Sequence, residues 1–528
     1  MWRSVLFGLC AFILLDLATQ ASIPTDLYYN AGVVEFRPSA ALSSENRVKD
    51  NLQGYMEILE REEAQSLDII IFPESTLNNR DQMTFVPNPQ TEMIIPCDSE
   101  EEGEYDEVMK QISCAARKYS KYIVINLTEK ELCSMVPEDP RPCASSGLNI
   151  YNTNVVFDRQ GAVISRYRKV HLYGENKNST FVPEYGWFDT DFGVRFGHFI
   201  CFDILFYSPA QEMVDKYGIK DFIFPTMWFS QLPFLTAVQV HQAWAYGNDV
   251  NLLAAGASDP VVGSTGSGIY NGRNGILVAV MNQGLGQRNL YVARVPKYTN
   301  PLKRVKRSIP KGSAKLSKPN IYLKRDYLEN YASVLVDLTN GTNLSQDLCF
   351  SNSSFCCSFD LQWQSVDLKA DSHHYYYRLG AYKGLRNEVA AETNELMNCA
   401  LISCIGQDIK DCGKVYDIDA DITFENVTIT ASFPKTDGFL LMPNSLKADD
   451  LMPVPVGEFE WSEVLSKNNK INVRYSLNTS TSNLLAFSIY GNYYDGDGLN
   501  DDGNGDGASS LTLSSLCGLI ILLVNLYL

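Results

Sequence analysis

Histidine is scarce, five in 528 residues, and no Cys-x-x-Cys pair occurs. The spacing on which zinc sites are usually built is therefore missing, and neither a metal nor a cofactor is expected. Positive charge is in deficit. Lys and Arg number 44 against 62 Asp and Glu, a formal net charge of −18. Binding to phosphate needs clustered cations, so nucleic acid is excluded as a main partner. The apolar runs at the two ends, Val5–Leu15 and Leu516–Leu528, are shorter than the ~20 residues of a membrane span. No internal repeat is found. What is present is a globular composition, 45% hydrophobic and 11% aromatic, which a disordered chain would not have. A chain this long can bury a large core without relying on disulfides.

The ends read as targeting signals. Arg3, the apolar run after it and Thr19-Gln20-Ala21 form a secretory signal peptide over residues 1–21. At the other end, 495–528 holds a flexible Gly/Asp stretch, a short spacer and an apolar tail. That is the signal for a glycosylphosphatidylinositol anchor, with Asn504 as attachment residue and Gly507 nearly as suitable. The expected location is the extracellular face of the cell membrane, held by lipid alone, with a secreted form as the alternative. Seven N-x-Ser/Thr sequons, at Asn126, Asn178, Asn340, Asn343, Asn352, Asn426 and Asn478, suggest glycosylation.

Cys10 and Cys517 lie in the end segments, which leaves an odd number of cysteines. Cys97, Cys114, Cys133 and Cys143 form an early group. Cys349, Cys356, Cys357, Cys399, Cys404 and Cys412 form a late one. Both groups are even and can close as disulfides in an oxidising compartment, though spacing leaves the pairing open. Cys201 remains alone.

Strand-like and helix-like segments alternate from Asp26 to about Val295, which indicates an α/β domain over 22–296. Within it, Val194–Cys201 reads as strand and Pro209–Tyr217 as helix. Residues 297–329 are basic and rich in Pro and Ser and read as a linker. It holds Arg304-Val-Lys-Arg307 before Ser308, where a processing protease could cut. Residues 330–494 are rich in Tyr, Val, Thr and Ser and read as a smaller, mainly β domain.

The chemistry centres on the lone cysteine. Cys201 ends a strand ahead of a helix that Pro209 opens, a position where a sharp turn can expose a nucleophile beside backbone N–H groups. Glu74 ends the buried strand Ile69-Ile-Ile-Phe-Pro73, and Lys169 follows Arg166-Tyr-Arg168. A carboxylate can take the thiol proton, and a lysine ammonium can stabilise an oxyanion. His171, His198 and His241 read as structural. Asp203 is a candidate for orienting the turn at Cys201.

The order Glu, Lys, Cys in these contexts resembles the nitrilase superfamily. The matching motifs are FPE at 72–74, YRKVHL at 167–172 and ICFDILF at 200–206. FPTMW at 224–228, HQAWAYGNDVNLLAAG at 241–256 and TGSGIY at 265–270 resemble its vanin and biotinidase branch, as does the spacing of the late cysteines. The resemblance implies a nitrilase-like αββα sandwich followed by the smaller mainly β domain. It implies an amide hydrolase acting through a cysteine acyl-thioester, with Cys201 as nucleophile and Glu74 as general base and acid. Lys169 and the backbone N–H of Phe202 would hold the oxyanion. Glu175, or else Glu184, would be a second supporting glutamate. Met227 and Trp228 would line the pocket, with Tyr270 near its mouth. The substrate would be a small amide, pantetheine first and biocytin or a biotinyl amide second. The competing class is a non-catalytic surface protein on the same fold, and the chain could be a monomer or a homodimer.

Overall fold

In Ile69-Ile-Ile71, Ile69 and Ile71 turn to one face of a sheet and Ile70 to the other, the period-two alternation of a strand buried on both sides. The computed structural model describes residues 21–99, 105–181, 184–298, 321–351, 355–364, 373–388 and 391–494. The rest of the signal peptide, the 304–308 processing site, Asn352, and the tail with Asn504 lie outside the described residues. In chain order the first domain contains β1 (Tyr28–Phe36), α1 (Ser44–Glu60), β2 (Ile69–Ile71), α2 (Glu107–Tyr119), β3 (Tyr122–Leu132), β4 (Leu148–Phe157) and β5 (Val163–Arg168). It continues with β6 (Gly186–Asp189), β7 (Arg195–His198), β8 (Asp221–Thr226), β9 (Gln231–Leu232), α3 (Ala237–Asn248), β10 (Asn251–Gly256), β11 (Ser267–Asn271), β12 (Ile276–Val280) and β13 (Arg288–Pro296).

Two six-stranded sheets are stacked. One has the order β13-β1-β2-β3-β4-β5 and the other β12-β11-β10-β8-β7-β6. Each has three parallel strands at its centre, β1-β2-β3 and β10-β8-β7, with antiparallel strands outside them. Ala31, Val33, Ile71 and Val124 meet Phe196, Ile223 and Leu253 between the sheets. Helices α1 and α2 cover the outer face of the first sheet with Tyr55, Ile58, Met109 and Ile112. Helix α3 covers the second with Trp244 and Ala245. The architecture is a nitrilase-like αββα sandwich.

Helix α3 is buried on nearly every side because the second domain packs on its far face. Gln239 donates to the Asn444 side chain at 2.7 Å, and Asn444 donates to the Phe234 carbonyl at 2.9 Å. A Cβ on Gly247 would lie 2.9 Å from the Leu441 carbonyl, so only glycine lets the helix approach. The second domain is built from strands. One sheet runs, in spatial order, Ala332–Leu335, Tyr376–Glu388, Ala391–Cys404, Leu484–Tyr493 and Phe439–Lys447. The other runs Asn343–Phe350, Phe355–Trp363, Thr423–Pro434, Lys470–Leu477 and Phe459–Leu465. Disulfides join Cys97–Cys114, Cys133–Cys143, Cys349–Cys356, Cys357–Cys399 and Cys404–Cys412, which among the described residues leaves Cys201 free.

Three local expectations are corrected. The strand expected over 194–201 stops at His198, because the backbone turns sharply at Cys201. The helix expected over 209–217 is a wide turn at Tyr207–Gln211 running into a short helix, Glu212–Asp215. Residues 321–329, expected as linker, are ordered: Lys324–Arg325 forms β14, which pairs in parallel with β9.

Tyr29 of one sheet donates its hydroxyl to Asp221 of the other at 2.8 Å, and Asn251 donates to the same oxygen at 2.7 Å. Burial nevertheless pushes the Asp221 carboxyl up to about 6. A carboxyl raised in the folded state contributes stability that is complete below about pH 4 and is lost as pH rises through about 6. Asp221→Asn keeps an oxygen acceptor and removes the charge. It is expected to raise stability at pH 7.5 by ~1–3 kcal/mol, with the gain vanishing near pH 4. Thermal unfolding at both pH values checks this, and a loss at pH 7.5 contradicts it.

Candidate active site

The residues singled out from sequence come from the ends of strands. Glu74 lies just past β2, Lys169 follows β5, Cys201 lies just past β7 and Met227 follows β8. β2, β7 and β8 all take part in parallel pairing, and open α/β sheets present ligand sites at the carboxyl ends of such strands.

Cys201 has φ = +47°, the left-handed region that non-glycine residues avoid. Such a backbone costs on the order of 1–3 kcal/mol and persists only where neighbours enforce it. Asp203 enforces it. Its Oδ2 accepts from the Ile200 N–H at 3.0 Å and the Tyr167 hydroxyl at 2.7 Å. Its Oδ1 accepts from the His171 N–H at 2.9 Å. Since Tyr167 and His171 flank Lys169, one carboxyl ties the cysteine turn to the lysine turn. Phe202 sits in the short 3-10 turn that Cys201 opens.

Lys169 is 1% exposed. A buried lone ammonium would cost several kcal/mol, so it needs charge partners. Its Nζ lies 2.8 Å from Glu74 Oε1 and 2.5 Å from Glu175 Oε1. Burial works against its charge, but Glu175 and Glu74 outweigh burial and hold the ammonium well above its usual pKa. Burial also opposes ionisation of Glu175, yet Lys169 and Lys177 hold that carboxyl down at about 2. Lys177 Nζ stands 3.1 Å from Glu175 Oε2. The cluster thus holds two carboxylates and two ammonium groups and is formally neutral. Glu184 is elsewhere, 3.6 Å from Arg166, so Glu175 is the glutamate that joins the lysine.

The sequence reading missed Asn152. Its Nδ2 donates to Glu74 Oε1 and to Glu175 Oε2, both at 2.7 Å. The Met227 N–H donates to Glu74 Oε2 at 2.7 Å. Asn126 orients Asn152 in turn. Its Nδ2 donates to Asn152 Oδ1 at 2.7 Å and to Asn154 Oδ1 at 3.0 Å. Its Oδ1 accepts from the N–H of Ser75, the left-handed residue directly after Glu74, at 2.9 Å. Asn126, read as a glycosylation site, is 1% exposed and uses both amide hydrogens in the interior. That expectation is corrected: a glycan on Nδ2 has no room and would break the network. Asn340, Asn343 and Asn478 are exposed, and Asn178 and Asn426 are half-buried.

Burial and the charge of Glu74 push the Cys201 thiol up, while Lys169 acts against them. The resting group is therefore a thiol that must lose its proton to a base during any attack. Burial holds His198 and His241 down at about 3, so both are too weakly basic to take that proton readily. His198 bonds Ser165 at 2.8 Å, and the His171 ring bonds the Ser208 carbonyl at 2.8 Å. Met227 is half-buried, and Trp228 is buried with its Nε1 donating to the Leu235 carbonyl at 2.9 Å. Tyr270 is fully buried behind His241 and is not at a pocket mouth, because β11 carries it into the second sheet. Among the described residues, no cluster of three or more His, Cys, Asp or Glu is placed to hold a metal ion.

Two family models and several known proteins are similar to this chain. Residues 37–220 match the carbon-nitrogen hydrolase family, and residues 321–497 match the vanin C-terminal domain. The chain is 51% identical over 510 residues to Vanin-like protein 1 of Drosophila melanogaster, covering 94% of this chain and 90% of that one. It is 29% identical over 480 residues to a pantetheinase of Homo sapiens, covering 89% and 87%. It is 29% identical over 405 residues to a biotinidase of Takifugu rubripes, covering 72% and 78%.

Glycan mapping of the protein from a secretory host tests the reassignment of Asn126. Asn340, Asn343 and Asn478 are expected to accept sugar and Asn126 to stay bare. Occupancy at Asn126 in active protein would contradict the network drawn here.

Proposed function

Because the chain belongs to the vanin family of carbon-nitrogen hydrolases and is an amide-cleaving hydrolase, we propose that Glu74, Lys169 and Cys201 form its catalytic triad. We propose pantetheine as the substrate, cut to pantothenate and cysteamine.

In this reading the substrate carbonyl carbon is attacked by Cys201 Sγ while Glu74 takes the thiol proton. The carbonyl electron pair moves to oxygen, and the oxyanion is met by the Lys169 ammonium and the Phe202 N–H. Glu74 then returns the proton to the leaving nitrogen. The carbon–nitrogen bond breaks, the amine departs and an acyl-thioester stays on Cys201. Water, deprotonated by Glu74, attacks the thioester, and the acid leaves as the thiol is restored. The observation that carries this reading is the buried ammonium of Lys169, held charged between Glu74 and Glu175. A fixed charge in a site shielded from water stabilises an oxyanion without reorganisation. Biotinyl amides are the second reading, favoured by equal identity to a pantetheinase and a biotinidase.

Hydrolysis of pantetheine and biocytin by the secreted protein is the direct test. Cys201→Ala is expected to lose turnover by about 10³-fold or more. Asn152→Ala, which leaves both carboxylates short of a donor, is expected to lower kcat by roughly 10²-fold with little change in KM. Turnover of neither substrate by folded wild-type protein would overturn the proposed activity.

The location is proposed from the ends of the sequence. No helix among the described residues is long and apolar enough to cross a membrane. A surface-bound form is expected to be released from cells by phosphatidylinositol-specific phospholipase, and retention would contradict the lipid anchor.

A further inference from the structure

The first residues of the stretch that matches the vanin C-terminal domain are strapped across the first domain. The Tyr322 N–H donates to the Pro260 carbonyl at 3.0 Å, the Lys324 N–H to Ser230 at 2.9 Å and the Asp326 N–H to Leu232 at 2.8 Å. From the other side, Arg325 reaches the Cys412 carbonyl at 2.8 Å, inside the second domain. The strap is therefore fastened to both domains. A Cβ at Gly263 would come within 2.4 Å of the Tyr322 carbonyl, so the approach is close.

The strap delivers one charge. Lys324 Nζ donates to the Tyr173 hydroxyl at 2.7 Å and lies 5.2 Å from the centroid of the Phe229 ring. Among the described residues, no carboxylate lies within ion-pair distance of it. Tyr173 follows the Lys169 turn, and its ring packs on Phe202, next to the nucleophile, with centroids 5.0 Å apart. Phe229 is next to Trp228 and two residues beyond Met227, whose N–H holds Glu74. Tyr173, Phe229, Met227 and Lys324 are all half-buried, so the protein covers this rim only in part. An ammonium on an aromatic rim, with spare donors and no counter-charge among the described residues, favours a substrate oxygen over an apolar or cationic group. The amine half of the substrate departs as a neutral amine once Glu74 has returned its proton, so it is gone before the second chemical step. The acyl half stays bound through both chemical steps.

We propose that Lys324 is a specificity-determining residue whose ammonium binds a hydroxyl or carboxylate on the acyl half of the substrate. The proposal rests on the reading of the site as an amide hydrolase. The acyl group is thus recognised by a residue from outside the αββα sandwich.

The test uses the full ectodomain and two amides of the same amine, one of pantothenic acid and one of an unhydroxylated acid of equal length. Lys324→Met is expected to lower kcat/KM for the hydroxylated amide by about 10-fold through KM, with the plain amide within twofold of wild type. Lys324→Arg is expected to keep the preference. An equal fall for both amides, or no fall for either, overturns the proposal. Binding of an N-alkyl pantothenamide to the Cys201→Ala protein gives a readout independent of turnover. Lys324→Met in that background is expected to weaken binding by a similar factor, and unchanged binding overturns the proposal. Hydrolysis of neither amide by wild-type protein sinks the amidase reading instead, and the binding arm still decides the role of Lys324.

Discussion

A buried ammonium between two carboxylates is the constraint around which the site is arranged. Lys169 cannot remain charged at 1% exposure without Glu74 and Glu175. The two carboxylates cannot sit together without the lysines and the Asn152 amide between them. Asn152 keeps its orientation because Asn126 donates to its oxygen, and Asn126 also pins the left-handed residue after Glu74. The cluster therefore reaches from the end of β2 to the end of β5 through strands β3 and β4. Each member is held by at least one other, and the sheet holds them all.

The nucleophile joins this cluster through a second buried carboxyl. Asp203 keeps the Cys201 backbone in an unfavourable region while bonding to Tyr167 and His171, two residues to either side of Lys169. Stability drawn from the inter-sheet core supports that local cost. The resting thiol, raised by burial and by Glu74, suits a site where a base removes the proton only as attack occurs. The second domain adds to this from outside. It buries α3 through Gln239 and Asn444, and the strap at its start brings Lys324 to the aromatic rim.

Much of this was legible in the sequence because the chemistry uses residues that are conspicuous when alone. Cys201 stood out once the other cysteines divided into even groups, and the short apolar strand before Glu74 marked a carboxylate placed at a strand end. The motif resemblance then supplied the αββα sandwich. The amide network was not legible. Asn126-Leu-Thr128 has the form of a sequon, and only burial shows that its amide hydrogens are used inside. A signal did exist: Asn152 and Asn154 share one face of β4, and Asn126 pairs directly opposite Asn154 across the ladder. Lys324 was hidden for another reason. Its segment has no apolar period because it is held by backbone hydrogen bonds to β9 and to Pro260 of the first domain, which leave no pattern in side chains. Glu175 and Glu184 could not be separated by spacing alone, since only the course of the loop after β5 decides which one turns back to the lysine.

The central claim is that Cys201, served by Glu74 and Lys169, carries the acyl group of an amide. Intact-protein mass spectrometry of ectodomain quenched in acid during pantetheine turnover measures it most directly. The account predicts a mass increase equal to the pantothenoyl group, mapped by peptide sequencing to Cys201 and absent from Cys201→Ala. Turnover with no adduct in rapidly quenched samples, or an adduct on any other residue, would contradict it.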